Sequence, residues 1–378
     1  MNYKVQYSSN LNHKGKNKTI LVFLDGTWND ENGRDDDGIT TNIFKLFSSL
    51  AGSLDKATIP FVKSHSSHTA LYFRGIGNDE DHGSVGTFYG AIFGAGEKRI
   101  RDNAYCEILR HYKNGDRIVI IAFSRGAACA RLLATKLAKH GIKRKVEVSY
   151  KKRHGEKFFL KYKNINQDYV EVDVDFLGLF DTVGAFGIPI NLPGLPFQKL
   201  NLFKNLELPK NVKQAVHCVA IDESREPFIP TLCNKASHVD EVWFAGVHAD
   251  VGGGYNYAEL GKISLEYMVS RLNDTMVDTP ISYDEAALRE HTEYSLDDDE
   301  IRMYYHGDGI KHHPRKIYVS VDNDPSHYKP KIHHSVTRLM ESDNVSLAES
   351  FESFTKVTPV IYCPKNLKAL SQPIDFVR

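Results

Sequence analysis

The chain has 378 residues, 41% of them hydrophobic, with 48 basic and 48 acidic side chains. That suffices for one large core or two modest ones. A formal net charge of zero gives no support to bulk polyanion binding, so no nucleic-acid partner is expected. Five dispersed cysteines with no CxxC pair argue against a disulfide framework or a zinc ribbon and suit synthesis in a reducing compartment.

Residues 1–18 read as a polar N-terminal extension with no apolar h-region. No apolar run approaches the roughly 18 residues of a membrane span. The expectation is a protein made in the cytoplasm without a cleaved signal. Six apolar runs follow, each ending in a small or polar turn: "TILVFLDGT", "ALYFRGIGND", "DRIVIIAFSRG", "VDFLGLFDTVG", "EVWFAGVHADVGGG" and "KIYVSVDND". Near-continuous apolar runs suit strands covered on both faces. Helical spacing appears in 96–112, where Ile100, Ala104, Ile108 and Tyr112 form a stripe, and after Ser124 as far as Gly141. This alternation predicts an α/β fold with a mostly parallel central sheet and ligands bound beyond the carboxyl ends of its strands.

Two segments interrupt the alternation. Residues 136–165 form a basic insertion, read as a solvated hairpin, with eleven Lys/Arg against two Glu in 136–163. Residues 184–203 form a Pro- and Gly-rich apolar loop, a lid candidate or a loop packed on the core. The catalytic domain is expected over 19–340, with a less patterned C-terminal segment over 341–378.

"RIVIIAFSRGAACARLL" has the form of a nucleophile elbow, in which a buried strand runs into Ser124 and a helix starts at once. The positions two before and two after the serine must be small, and they are Ala122 and Gly126. The Arg125 N–H then lies at the positive end of that helix, ready for an oxyanion. The turn "DGTWND" resembles the D-x-D-G-T start of certain phosphatases, but Phe23 stands where their attacking Asp would be. The turn therefore reads as an oxyanion loop, with Gly26 or Thr27 N–H as second donor and Asp25 ordering it.

Two assignments compete for the base and acid. One takes His248 and Asp181, both at strand ends. The other counts strands as in the usual hydrolase sheet, which makes Asp250 the acid behind strand seven. The base is then His327, His333 or His334, behind "KIYVSV" as strand eight. The count favours the second, leaving Asp181 and His248 as neighbours in the same site. His217 reads as a satisfied core histidine. The acidic run "DGTWNDENGRDDDG" lacks calcium-loop spacing. His312-His313 is too isolated for zinc, and "ADVGGGY" is not a nucleotide loop. No metal or cofactor is expected.

The motifs "LVFLDGTWND", "YFRGIG", "IAFSRGAACAR", "FLGLFDTVGAFG", "AVHCVAIDESREPF", "VWFAGVHADVGGGY" and "KIHHSVTRL" occur in one order. That series resembles the serine-hydrolase family that includes the type VI secretion phospholipase effectors, originally a domain family of unknown function. The resemblance spans roughly 19–340. It implies an α/β-hydrolase fold, with insertions as lid or cap, and an esterase acting on phospholipids with Ser124 as nucleophile. Asp250 falls in its H-x-D-V-G-G-G-Y motif and His333 in its Ile-His-x-Ser-Val segment. Ala122 and His334 depart from its Gly and Pro. The resemblance further implies an antibacterial effector or defence toxin exported by a signal-independent system to act at membranes, with secretion-machinery and immunity-protein partners. Three rival readings are an esterase for a non-lipid substrate, a phosphatase or phosphodiesterase built on Asp25, and a non-catalytic binding module.

Overall fold

The computed structural model describes residues 2–33, 38–57, 59–77, 89–153, 156–184, 207–297, 300–306, 312–318, 329–350, 355–368, 370 and 374–378. Its centre is a ten-stranded sheet. In chain order the strands are β1 (Thr19–Leu24), β2 (Ser53–Asp55), β3 (Phe61–Ser64), β4 (His68–Phe73), β5 (Arg117–Phe123), β6 (Phe176–Phe180), β7 (Ala215–Ala220), β8 (Val239–Phe244), β9 (Lys331–His333) and β10 (Asp375–Val377). Across the sheet they run β10-β9-β8-β7-β6-β5-β1-β4-β3-β2. The eight from β10 to β4 are parallel, and β3 and β2 close one edge antiparallel.

The apolar runs explain the layering. Successive strand residues point to opposite faces. Ile20, Val22 and Leu24 face α2 (Tyr89–His111) and α3 (Ser124–His140), where they pack with Leu109, Leu133 and Leu137. Leu21 and Phe23 face α1 (Asn42–Ser48) and α5 (Glu259–Thr275), among Ile43, Phe47 and Met268. Each such buried leucine or phenylalanine contributes about 1.5–3 kcal/mol. With helices on both faces, the chain has an α/β-hydrolase-like architecture. The five cysteines are free. Among the described residues no helix is long and apolar enough to cross a membrane.

Two strands differ from expectation. "AVHCVA", read only for its histidine, is the fully buried β7 between β6 and β8. Residues 316–318 of "KIYVSV" are not in a strand, and the rest of that run lies outside the described residues, as does His327. The strand following β8 in the sheet is "KIH", in β9. The basic stretch forms a hairpin, Lys145–Arg153 with Glu156–Asn164, and the N-terminal residues Asn2–Ser8 pair with it. Beyond Gly184 the apolar loop 184–203 lies outside the described residues. The stretch after 340 supplies β10 to the central sheet and pairs Val345–Ser350 with Ile301–His306.

Candidate active site

The carboxyl ends of β1, β5, β6 and β8 converge. β5 passes into α3 at Ser124, whose φ of 58° lies in the left-handed region that a non-glycine residue seldom adopts. The neighbours show what this turn demands. A Cβ on Gly126 would come 2.4 Å from the Leu24 carbonyl oxygen and 2.5 Å from that of Asp25. Ala122 is fully buried between Leu24 of β1 and Leu179 of β6.

β8 leads through Gly246 and Val247 into a short helix, α4 (His248–Gly252). His248 Nε2 lies 2.8 Å from Ser124 Oγ, and its Nδ1 lies 2.5 Å from Asp181 Oδ2. The imidazole is buried, its centroid 4.6 Å from that of Phe123 and 4.8 Å from that of Phe228. A Cβ on Gly252 would fall 2.0 Å from the Phe123 ring, so the close approach of α4 to the serine turn requires glycine there. Asp181 follows β6 with φ 37° and donates its N–H to Cys218 O at 2.7 Å.

Arg315 completes the arrangement. Its Nη1 and Nη2 donate to Asp181 Oδ1 and Oδ2 at 2.7 and 2.8 Å, and to the carbonyls of Ala220 and Phe228. Burial alone would raise the Asp181 pKa, but the Arg315 guanidinium and the His248 hydrogen bond outweigh it and hold the carboxylate far below its usual range. Burial pushes the His248 pKa below its ordinary value against the opposing pull of Asp181, so the ring is neutral near pH 7. The His248 backbone N–H donates to Glu223 Oε2 at 3.2 Å.

These groups open on a cavity of about 360 Å³ whose walls include Thr27, Trp28, Ser124, Arg125, Phe228 and Tyr255. Gly26 is committed elsewhere, since its N–H donates to Asp25 Oδ1 at 2.7 Å. The Thr27 N–H has no hydrogen bond among the described residues, and the Arg125 guanidinium ties the two walls by donating to Thr27 Oγ1 at 3.2 Å. Asp25 lies beneath this loop. It also accepts from Thr41 Oγ1 at 2.8 Å and Tyr72 Oη at 2.7 Å, and burial pushes its pKa up to about 7. Enclosed and occupied by three donors, it is not placed to attack phosphorus.

Asp250 and His333, favoured by the strand count, are not joined to Ser124. Asp250 Oδ2 accepts the Val247 N–H at 2.9 Å and so caps α4. His333 lies in β9 within the core, its Nδ1 2.8 Å from Ser335 Oγ and its ring stacked on Phe244. Burial depresses its pKa to about 3. His334 is half-buried, and its N–H donates to Val377 O at 2.8 Å. The strand count had omitted β7. With β7 included, "VWF" is the eighth strand and the histidine that follows it is His248. Arg315 and Phe228 carried no sequence signal, because their roles depend on contacts across more than 80 residues of chain.

Of the described clusters, His217, Cys233 and Glu241 could hold a metal ion. However, although burial opposes it, Cys233 and Glu241 beside the ring raise the His217 pKa to about 9, and with Nε2 accepting the Thr182 N–H at 3.0 Å the proton sits on Nδ1, which donates to Glu241 Oε2 at 2.8 Å. A protonated Nδ1 is no ligand, and the set fits a hydrogen-bonded pair better than a metal site.

Fold and site geometry place the protein among α/β-hydrolase-like domains. Residues 18–271 match the family described as "T6SS, Phospholipase effector Tle1-like, catalytic domain", and the chain belongs to that family. It is 30% identical over 148 residues to "Uncharacterized protein YEL023C" of Saccharomyces cerevisiae, an alignment covering 33% of this chain and 20% of the yeast protein. Among solved structures it is similar to an uncharacterized protein from Pseudomonas aeruginosa, with 19% identity and a TM-score of 0.48, over 74% of this chain and 49% of that one. It is also similar to the Tle1 effector in its structure bound to the VgrG spike from the type VI secretion system, with 21% identity and a TM-score of 0.38, over 67% of this chain and 57% of that one. The chain thus spans a fifth to under two thirds of these relatives' lengths.

Proposed function

We propose that the protein is a serine hydrolase that cleaves acyl esters of membrane phospholipids, with Ser124 as nucleophile, His248 as base and Asp181 as the acid that orients it. The observation that carries this reading is the 2.8 Å approach of His248 Nε2 to Ser124 Oγ while Nδ1 is held by Asp181. His248 takes the Ser124 proton as Oγ attacks the acyl carbonyl. The backbone N–H groups of Thr27 and Arg125 receive the oxyanion. Collapse breaks the ester C–O bond, and His248 returns the proton to the departing alcohol. Water, deprotonated by His248, then attacks the acyl-enzyme, releasing the fatty acid and restoring Ser124. The substrate class rests on the family. So does the biological role, that of an effector exported by type VI secretion machinery and neutralised at home by an immunity protein.

The test is fluorophosphonate labelling of wild type, Ser124→Ala, His248→Ala and His333→Ala, with fatty acid release from phospholipid vesicles read in parallel. Labelling and release lost with Ser124 and His248 but kept in His333→Ala support the reading. Labelling that survives His248→Ala and fails in His333→Ala returns the base to His333. A wild type that neither labels nor releases fatty acid overturns the hydrolase.

A further inference from the structure

The three-stranded antiparallel sheet of Asn2–Ser8, Lys145–Arg153 and Glu156–Asn164 plays no part in the chemistry above. Its inner face is a built one. Tyr7, Val146, Val148, Tyr150 and Phe159 are buried, and the Tyr7 and Tyr150 hydroxyls donate to Glu107 of α2 at 3.2 and 3.3 Å. Its outer face is different. Together the three strands carry eight Lys/Arg against two Glu, of which Lys157 belongs to the inner face, its Nζ donating to Tyr7 Oη at 2.8 Å. Lys4 and Lys163 are 63% and 67% exposed by side chain, Lys161 is exposed, and Glu147 is the acid that pairs with both Lys4 and Lys163.

A bulge adds an apolar element. Ser149 pairs with Lys161 and Tyr150 with Phe159, which leaves Leu160 as the extra residue. Leu160, flanked by Phe159 and Lys161, is 43% exposed. The turn end of the hairpin also has a definite place. Lys157 and Phe158 share a recess with Phe73 and Arg74, at the carboxyl end of β4. The next residue, Gly75, donates its N–H to Asn29 O at 2.9 Å, in the loop that carries Thr27. The basic sheet therefore reaches the same rim of the central sheet as the cavity mouth.

We propose that this outer face is a docking surface for anionic phospholipid bilayers, resting on the reading that the substrate is a membrane lipid. Basic side chains around an inserted apolar residue are the chemistry of an interfacial contact. A nucleic-acid partner would account for the lysines and leave Leu160 unexplained.

The experiment measures vesicle co-sedimentation with Ser124→Ala protein, so that no lipid is consumed. The vesicles are pure phosphatidylcholine or phosphatidylcholine with phosphatidylglycerol. Lys4→Glu, Lys161→Glu and Lys163→Glu are combined in one variant, and Leu160→Ser is made separately. The expected result is salt-sensitive preference for the anionic vesicles, lost by about 100-fold or more in the triple variant. Leu160→Ser should weaken binding several-fold on both vesicle types. In the background with Ser124 intact, hydrolysis of a soluble short-chain ester should be unchanged by the triple variant, which also shows that it folds. Equal vesicle binding by the triple variant and its parent overturns the proposal. So does indifference to lipid charge, or tighter binding to single-stranded RNA than to anionic vesicles. Because binding is read without turnover, failure of fluorophosphonate labelling leaves this result standing, and failure of vesicle binding leaves the hydrolase reading standing.

Discussion

Two histidine–carboxylate pairs lie in neighbouring parts of this molecule. His248 turns Nδ1 to Asp181 at 2.5 Å, and His217 turns Nδ1 to Glu241 at 2.8 Å. Both rings are buried. The difference is at the other nitrogen. His248 Nε2 meets a serine hydroxyl at the wall of a cavity, whereas His217 Nε2 meets the Thr182 backbone N–H inside the core. A carboxylate behind a histidine therefore does not mark a base; the group in front of it does. The core pair still bears on the site, because the N–H it holds belongs to the residue after Asp181.

The largest effect expected from this contrast is chemical. Ser124→Ala and His248→Ala should each lower ester turnover by at least about a thousandfold, measured with a chromogenic ester, with little change in the urea midpoint for Ser124→Ala. Next is Arg315→Leu, which leaves the buried Asp181 charge with only His248 as a side-chain partner. It should cost about 3–5 kcal/mol in urea unfolding. His217→Leu should cost about 1–3 kcal/mol by leaving the Thr182 N–H unsatisfied and should lower kcat several-fold at nearly constant KM, with His217→Gln recovering part of both. Should His217→Leu abolish labelling as completely as His248→Ala, the distinction between the two pairs fails.

The smallest effect concerns pH. In the proposed reaction His248 works as the neutral ring, so activity is expected to fall as pH drops through its pKa. That pKa is depressed, which places the acid limb of kcat/KM below about pH 6.5. Arg315→Lys should loosen the hold on Asp181 and move the limb upward. A limb above pH 7 in wild type would contradict a depressed base.

Much of this was legible because it is local. "TILVFL" and "RIVIIAF" announce buried strands without alternation, and small residues on either side of Ser124 announce an elbow. Asp181 and His248 were visible as polar residues at strand ends. Their partnership was not, since it depends on which strands are adjacent. β7 escaped because a histidine and a cysteine sit within six residues, and that histidine is apolar in effect only through Glu241 and Thr182. β9 and β10 have three residues each, too few for any periodicity. Asp250 and His333 were favoured by the strand count and by motif; their contacts, a cap on α4 and a Ser335 hydroxyl in the core, could be read only from the fold.

The clamp on Asp181 has a consequence in time. Ser124, Asp181, His248 and Arg315 leave the ribosome in that order, so the guanidinium that fixes the acid is the last to arrive. A nascent chain that already exposes the first three still holds Asp181 without its bidentate partner, and the β9 and β10 edge is not yet laid down. Under the proposed triad, the acid is therefore clamped from both sides only after Arg315 has been made, well after Ser124, Asp181 and His248.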